Sequence, residues 1–143
     1  MSKLNFKIKQ INYSKNNKKG TLRGLHFSIN PSKEKKIVMC LSGEIFDVVV
    51  DLRKKSKTFK KFITIRLTEN NSLGLYIPNG FAHGFQTLKN NTNLLYFHSD
   101  FYKHSLDRGV NPLDRELNIK WPLKINFISD KDKDLPNINS KYF

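Results

Sequence analysis

Short apolar runs broken by turn residues dominate this chain, and none has the length or period of a long amphipathic helix. Phe62-Ile63-Thr64-Ile65-Arg66-Leu67 alternates with a period of two, which puts successive side chains on opposite faces of a strand. Ile37 to Leu41 predicts another strand. Gly43-Glu44 then turns the chain into Ile45-Phe46-Asp47-Val48-Val49-Val50-Asp51-Leu52, a run rich in β-branched residues that suit a pleated surface. Leu73 to Pro78 is a further strand, stopped by Pro78-Asn79-Gly80. Phe85 to Leu88 and Asn93 to His98 flank the turn-like Lys89-Asn90-Asn91-Thr92. Strands and turns recurring every ~8–12 residues indicate an all-β sandwich or barrel.

The remaining segments are less regular. The first 20 residues, rich in Lys and Asn, supply one strand at most. Tyr102 to Glu116 carries charge, Gly109 and Pro112, and is expected to be loop. Leu117 to Leu123 is a short apolar return. The tail from Ser129 to Phe143 sets Asp130, Asp132 and Asp134 between lysines and is expected to be solvated or partly frayed. No internal repeat and no second domain are apparent, so residues 1–143 are read as one domain.

Composition narrows the class. A chain of 143 residues can bury one real core. No apolar run approaches the ~20 residues of a membrane span, and the N-terminal residues lack an apolar stretch of signal-peptide length. A single cysteine, Cys40, excludes a disulfide framework and is expected to be a small buried apolar residue. The expected compartment is the cytoplasm. The formal charge of +14 invites a nucleic-acid partner. However, the excess is mostly Lys scattered among Asn, and no helix-turn-helix or RNA-binding signature accompanies it. Attraction of an anionic small substrate fits better.

Two histidines carry the candidate chemistry. His26 lies in Gly20-Thr21-Leu22-Arg23-Gly24-Leu25-His26-Phe27, and His83 in Ile77-Pro78-Asn79-Gly80-Phe81-Ala82-His83-Gly84-Phe85. Each offers one imidazole, the side chain suited to moving protons near neutral pH, from an apolar strand that could equally hold it as a core residue. A barrel could join the two segments, which makes a base inside a β-barrel the leading hypothesis. Arg23 shares the strand of His26; a buried or half-buried Arg there would need a carboxylate or an anionic ligand. Other chemistries find little support. No His-x-His metal pattern is present, and His98 and His104 share no strand spacing with the other two. Glycine-rich phosphate loops, a Gly-x-Ser-x-Gly elbow and a complete calcium loop are absent.

Several ordered blocks resemble the dTDP-4-dehydrorhamnose 3,5-epimerase family. They are Gln10-x-Asn12, the Leu-Arg-Gly-Leu-His-Phe block ending at Phe27, Lys36 ten residues after His26, and Ser42 to Arg53. Ser56-x-Thr58-Phe59, Ile77 to Phe85, Leu95-Tyr96, Trp121-Pro122-Leu123 and Ser129 to Asp132 complete the match. The resemblance implies a metal-independent, cofactor-free jelly-roll barrel of cupin type that works as a homodimer. Its substrate would be a nucleoside-diphosphate 4-keto-6-deoxyhexose, whose 4-keto group makes the C3 and C5 protons removable. The resemblance makes His26 the base and Asp132 the carboxylate that orients it, with Asp130 and Asp134 as rivals. Lys36 would stand by the enolate oxygen, and Tyr96 would return the proton from the opposite face. Arg23, His83, Tyr102, Gln10 and Asn12 are assigned to substrate binding, while Asp47 is either an orienting or a plain strand residue. Family members usually carry a longer segment before Gln10 that helps bind the nucleotide, so this chain is read as an N-terminally short member. Two alternatives stand beside the epimerase. One is a nucleotide-sugar 3,4-ketoisomerase, whose members usually show a second His where this chain has Phe27. The other is a non-catalytic sugar-binding barrel, which would need no opposed acid and base.

Overall fold

A computed structural model describes residues 5–140. The β-rich pattern folds into two sheets that face each other. Strands β1 (Gln10–Asn16), β2 (Thr21–Ser28), β3 (Lys36–Ser42), β4 (Glu44–Asp51), β5 (Phe62–Thr68), β6 (Gly74–Ile77), β7 (Phe81–Thr87) and β8 (Thr92–His98) follow in order. The smaller sheet has the order β1-β8-β3-β6, and the larger runs β2-β7-β4-β5 with β10 (Phe127–Ile128) beside β2. All pairs among the first eight strands are antiparallel. Most connections cross from one sheet to the other, and this order is that of a jelly roll, the cupin-type architecture expected from the sequence.

Burial explains the strand composition. Ile45 and Val49 of β4 point inward with Val38, Cys40, Leu67, Ile77, Phe85 and Leu94, forming a core between the sheets. Val48 and Val50 point the other way, where they pack with Leu25, Ala82, Val110, Leu117, Ile119 and Ile138. Strand β4 is therefore covered on both faces, and a strand buried twice reads as a continuous apolar run. The outer cover is the C-terminal third of the chain. Asp114, itself buried, pins that cover by accepting the Ile138 N–H at 2.6 Å, and the Trp121 indole donates to the Pro112 carbonyl.

Three sequence expectations change. Strand β7 begins at Phe81, ahead of the expected Phe85, and holds His83 as the apolar stretch around it indicated. The stretch from Tyr102 to Glu116 is not all loop, because β9 (Asp107–Gly109) pairs with β2. The tail is not frayed at its start. Just ahead of it Phe127 and Ile128 run parallel to Thr21 and Leu22, and its first residue, Ser129, caps the helical turn α1 (Asp130–Lys133) by accepting the Asp132 N–H. This packing outweighs the polar composition, which was the only signal available from the tail. Residues 141–143, also assigned to the tail, and the first four residues lie outside the described range.

Candidate active site

A cavity of about 710 Å³ opens between the sheets beyond the inner core. The larger sheet lines it with Arg23, His26 and His83, and the smaller with Asn12, Lys36, Tyr96 and His98. The strand pairing explains how distant residues meet. His26 and His83, 57 positions apart, are register partners across β2 and β7. Lys36 and His98 are partners across β3 and β8.

The register of β2 shifts between Arg23 and His26, with Gly24 at φ +97° inside the shift. A Cβ on Gly24 would lie 2.6 Å from the His83 carbonyl oxygen and 2.7 Å from the Gly84 Cα. Only glycine fits both that backbone conformation and that approach. The Gly24 N–H donates to Asp132 Oδ2 at 3.1 Å, so the distortion serves the carboxylate as well as the imidazole.

His26 and Asp132 form a pair at 2.6 Å between Nε2 and Oδ1. The strand β10 beside β2 delivers Asp132 across 106 positions of sequence. Burial alone would raise the Asp132 carboxyl. The His26 hydrogen bond and charge, with donors from Gly24 and Ser129, outweigh it and hold the group below the usual carboxylate range. A carboxylate only accepts, so the proton on His26 Nε2 faces Asp132, and Nδ1 is the nitrogen that offers a lone pair in the neutral imidazole. The geometry also decides among the three rivals of the tail. Asp132 is 3 % exposed, whereas Asp130 pairs with Lys133 and is almost fully solvated, and Asp134 is exposed.

A second pair joins His83 Nε2 to Asp47 Oδ1 at 2.5 Å, both buried. Asp47 is thus a partner of His83, which the sequence left open. The ring of Tyr96 meets the His83 ring edge-on at 6.0 Å between centroids. Burial, and then the Asp47 charge, push the Tyr96 phenol well above its usual range, against the pull of Arg23. That phenol stays protonated at any physiological pH. Lys36 is largely buried in the cavity wall, its Nζ 3.5 Å from Glu34 Oε2.

The binding candidates divide. Asn12 lines the cavity, whereas Gln10 stands behind it, donating to Asn12 Oδ1 at 2.8 Å and accepting the Tyr102 N–H at 2.9 Å. Tyr102 lies at the mouth, exposed, with its hydroxyl 3.3 Å from both His104 Nδ1 and Asp107 Oδ2. Arg23 is not buried as its apolar strand suggested. It is exposed to the cavity and donates to the Asn16 side-chain oxygen at 2.8 Å, because it alternates along β2 with the buried Leu22 ahead of the register shift. The residues that sequence reasoning missed are Glu34, His98, Asp107 and Lys131, all in the cavity wall. Glu34 sits in a lysine run that reads as solvated charge; the inward alternation of β8 through Leu94, Tyr96 and His98 could have found His98. Among the described residues no three His, Cys, Asp or Glu side chains gather as a metal site would require.

Such an arrangement can remove a proton with a carboxylate-backed imidazole on one sheet and return one from a neutral phenol on the other. A jelly-roll barrel with that constellation has the parts of a proton-transferring isomerase. The sequence profile described as dTDP-4-dehydrorhamnose 3,5-epimerase matches residues 1–140, and the chain belongs to this family. The dTDP-4-dehydrorhamnose 3,5-epimerase of Shigella flexneri is 44% identical over 123 residues, covering 86% of this chain and 67% of the relative. A crystal structure of the Bacillus anthracis enzyme with TDP and PPi bound superposes with TM-score 0.90 at 42% identity, covering 92% of this chain and 75% of that one. The Legionella pneumophila enzyme in complex with dTDP-4-keto-L-rhamnose gives TM-score 0.89 at 36% identity, covering 95% and 72%. The chain spans about two thirds of the length of the curated relatives it matches.

Proposed function

We propose that this chain inverts C3, C5 or both of a dTDP-linked 4-keto-6-deoxyhexose. The carrying observation is the placement of the His26–Asp132 pair on one sheet and Tyr96 on the sheet facing it across the cavity. Inversion needs a base and an acid on opposite faces of the sugar, and binding alone needs neither. His26 Nδ1 takes the proton on carbon, and Asp132 stabilises the imidazolium that results. The electron pair moves onto the C4 oxygen, where the Lys36 ammonium stabilises the enolate. Tyr96 then delivers its hydroxyl proton to the carbon from the far side. Arg23, His83, Asn12 and Tyr102 surround the sugar and diphosphate, with Gln10 holding Asn12 and the Tyr102 backbone.

The chain works as one barrel domain, as a homodimer in the cytoplasm, and serves deoxysugar and surface-polysaccharide synthesis. No described helix is long and apolar enough to cross a membrane. The reaction as proposed uses no metal, because the Lys36 ammonium supplies the positive charge at the enolate oxygen. The test is NMR in deuterium oxide with dTDP-4-keto-6-deoxyglucose and EDTA present. Deuterium is expected at C3, C5 or both. Activity lost in EDTA and restored by zinc or iron would overturn the metal-free mechanism, and no exchange at either carbon would overturn the function.

A further inference from the structure

The cavity wall holds a third histidine–carboxylate pair that the proposed reaction does not use. His98 Nδ1 lies 2.7 Å from Glu34 Oε1. The other Glu34 oxygen, Oε2, accepts the Ser28 hydroxyl at 2.9 Å and faces the Lys36 ammonium at 3.5 Å. All three charged or titratable side chains are nearly enclosed, at 11–12 % exposure. The His98 ring stacks on Tyr96 at 5.9 Å with an 18° interplanar angle, and its Nε2 is buried without a hydrogen-bond partner.

This cluster is costly on two counts. Burial of an unpartnered ring nitrogen forfeits a hydrogen bond to water. A carboxylate in the wall of a cavity that takes a diphosphate also repels the substrate. Glu34 is nonetheless kept ionised, at about 2 rather than 4.5; burial works against this, and His98, Lys36 and Ser28 overcome it. What the cluster gains is position. A flexible lysine side chain and a phenol, one on β3 and one on β8, are each held by one half of the same pair.

We infer that Glu34 and His98 form a positioning unit that fixes Lys36 and Tyr96 on the face of the sugar opposite His26, at the expense of substrate affinity. The inference rests on the epimerase reading for its kinetic arm. Glu34→Gln keeps the shape and removes the charge. It should lower kcat for deuterium exchange about tenfold, because the ammonium is no longer held at the enolate oxygen. The same variant should lower KM about two- to threefold, because an anion has left the wall of an anion site. General damage to the fold would not lower both constants. In a Lys36→Ala background the substitution should cost clearly less in kcat than it does alone, because only the hold on Tyr96 through His98 is left to lose. His98→Phe, which keeps the stacked ring, should reproduce the loss of kcat, because Glu34 loses its second anchor.

NMR of the free protein reads the same unit without turnover. The Lys36 ammonium and the His98 Nδ1–H should give protected signals in the wild type that Glu34→Gln abolishes. Unchanged signals, unchanged kcat, or a loss additive with Lys36→Ala would overturn the inference. A wild type that exchanges no deuterium would overturn the epimerase reading instead, and the NMR signals would then decide the positioning unit alone.

Discussion

His26–Asp132 and His83–Asp47 are the same chemical pair in two settings. Both join Nε2 to a carboxylate at 2.5–2.6 Å. The His26 side chain is 35 % exposed and the His83 side chain 6 %. Asp132 reaches its histidine from a helical turn near the C-terminus, where its Oδ2 accepts the Gly24 N–H and its own N–H donates to the capping Ser129 hydroxyl. Asp47 sits two strands into the sheet, and its Oδ2 is buried without a partner. The difference teaches that the pairing alone does not make a base. The first histidine has an open nitrogen and a solvated path for a proton, whereas the second has its ring packed by Tyr96 and Phe85. The second is suited to shaping the pocket and setting its electrostatics.

The comparison breaks most sharply at His26. Replacing it by alanine removes the base, and C–H exchange should fall by ~10²–10⁴-fold with the fold retained by circular dichroism. Exchange near the wild-type rate in a folded His26→Ala protein would assign the chemistry to the other pair. Tyr96→Phe keeps the ring against His83 and His98 and removes only the transferable proton. Inverted product should fall ~10²-fold, while deuterium still enters recovered substrate of unchanged configuration. Equal loss of exchange and inversion would tie the phenol to the abstraction step.

The two carboxylates sharpen the contrast at smaller cost. Asp132→Asn should lower turnover ~10²-fold and cost less stability than the change at Asp47, because His26 stays open to solvent. Asp47→Asn should behave the other way. It disturbs a fully buried pair and should cost about 1–3 kcal/mol of stability, read from chemical denaturation, with a much smaller effect on turnover. If the two variants exchanged these phenotypes, the assignment of roles to the two histidines would be reversed.

Much of this was legible before any coordinates. Period-two alternation and turn residues placed the strands of an all-β barrel, because an element of that period must show one face to the core whatever its partners. The β-branched run of β4 announced a strand, while its cover on both faces came from the structure. The ordered blocks around His26, Lys36, Tyr96 and Asp132 marked the side chains that line or back the cavity. What tertiary structure alone decided was contact across sequence. Only the β2–β7 register set His26 beside His83, and only the parallel β10 chose Asp132 over its two neighbours in a tail that reads as solvated. Only the pairing of β3 with β8 in one sheet brought Glu34 and His98 beside Lys36. Local patterns report the water or core that a residue faces, but a pairing energy depends on a partner many residues away, and no single stretch of sequence carries it.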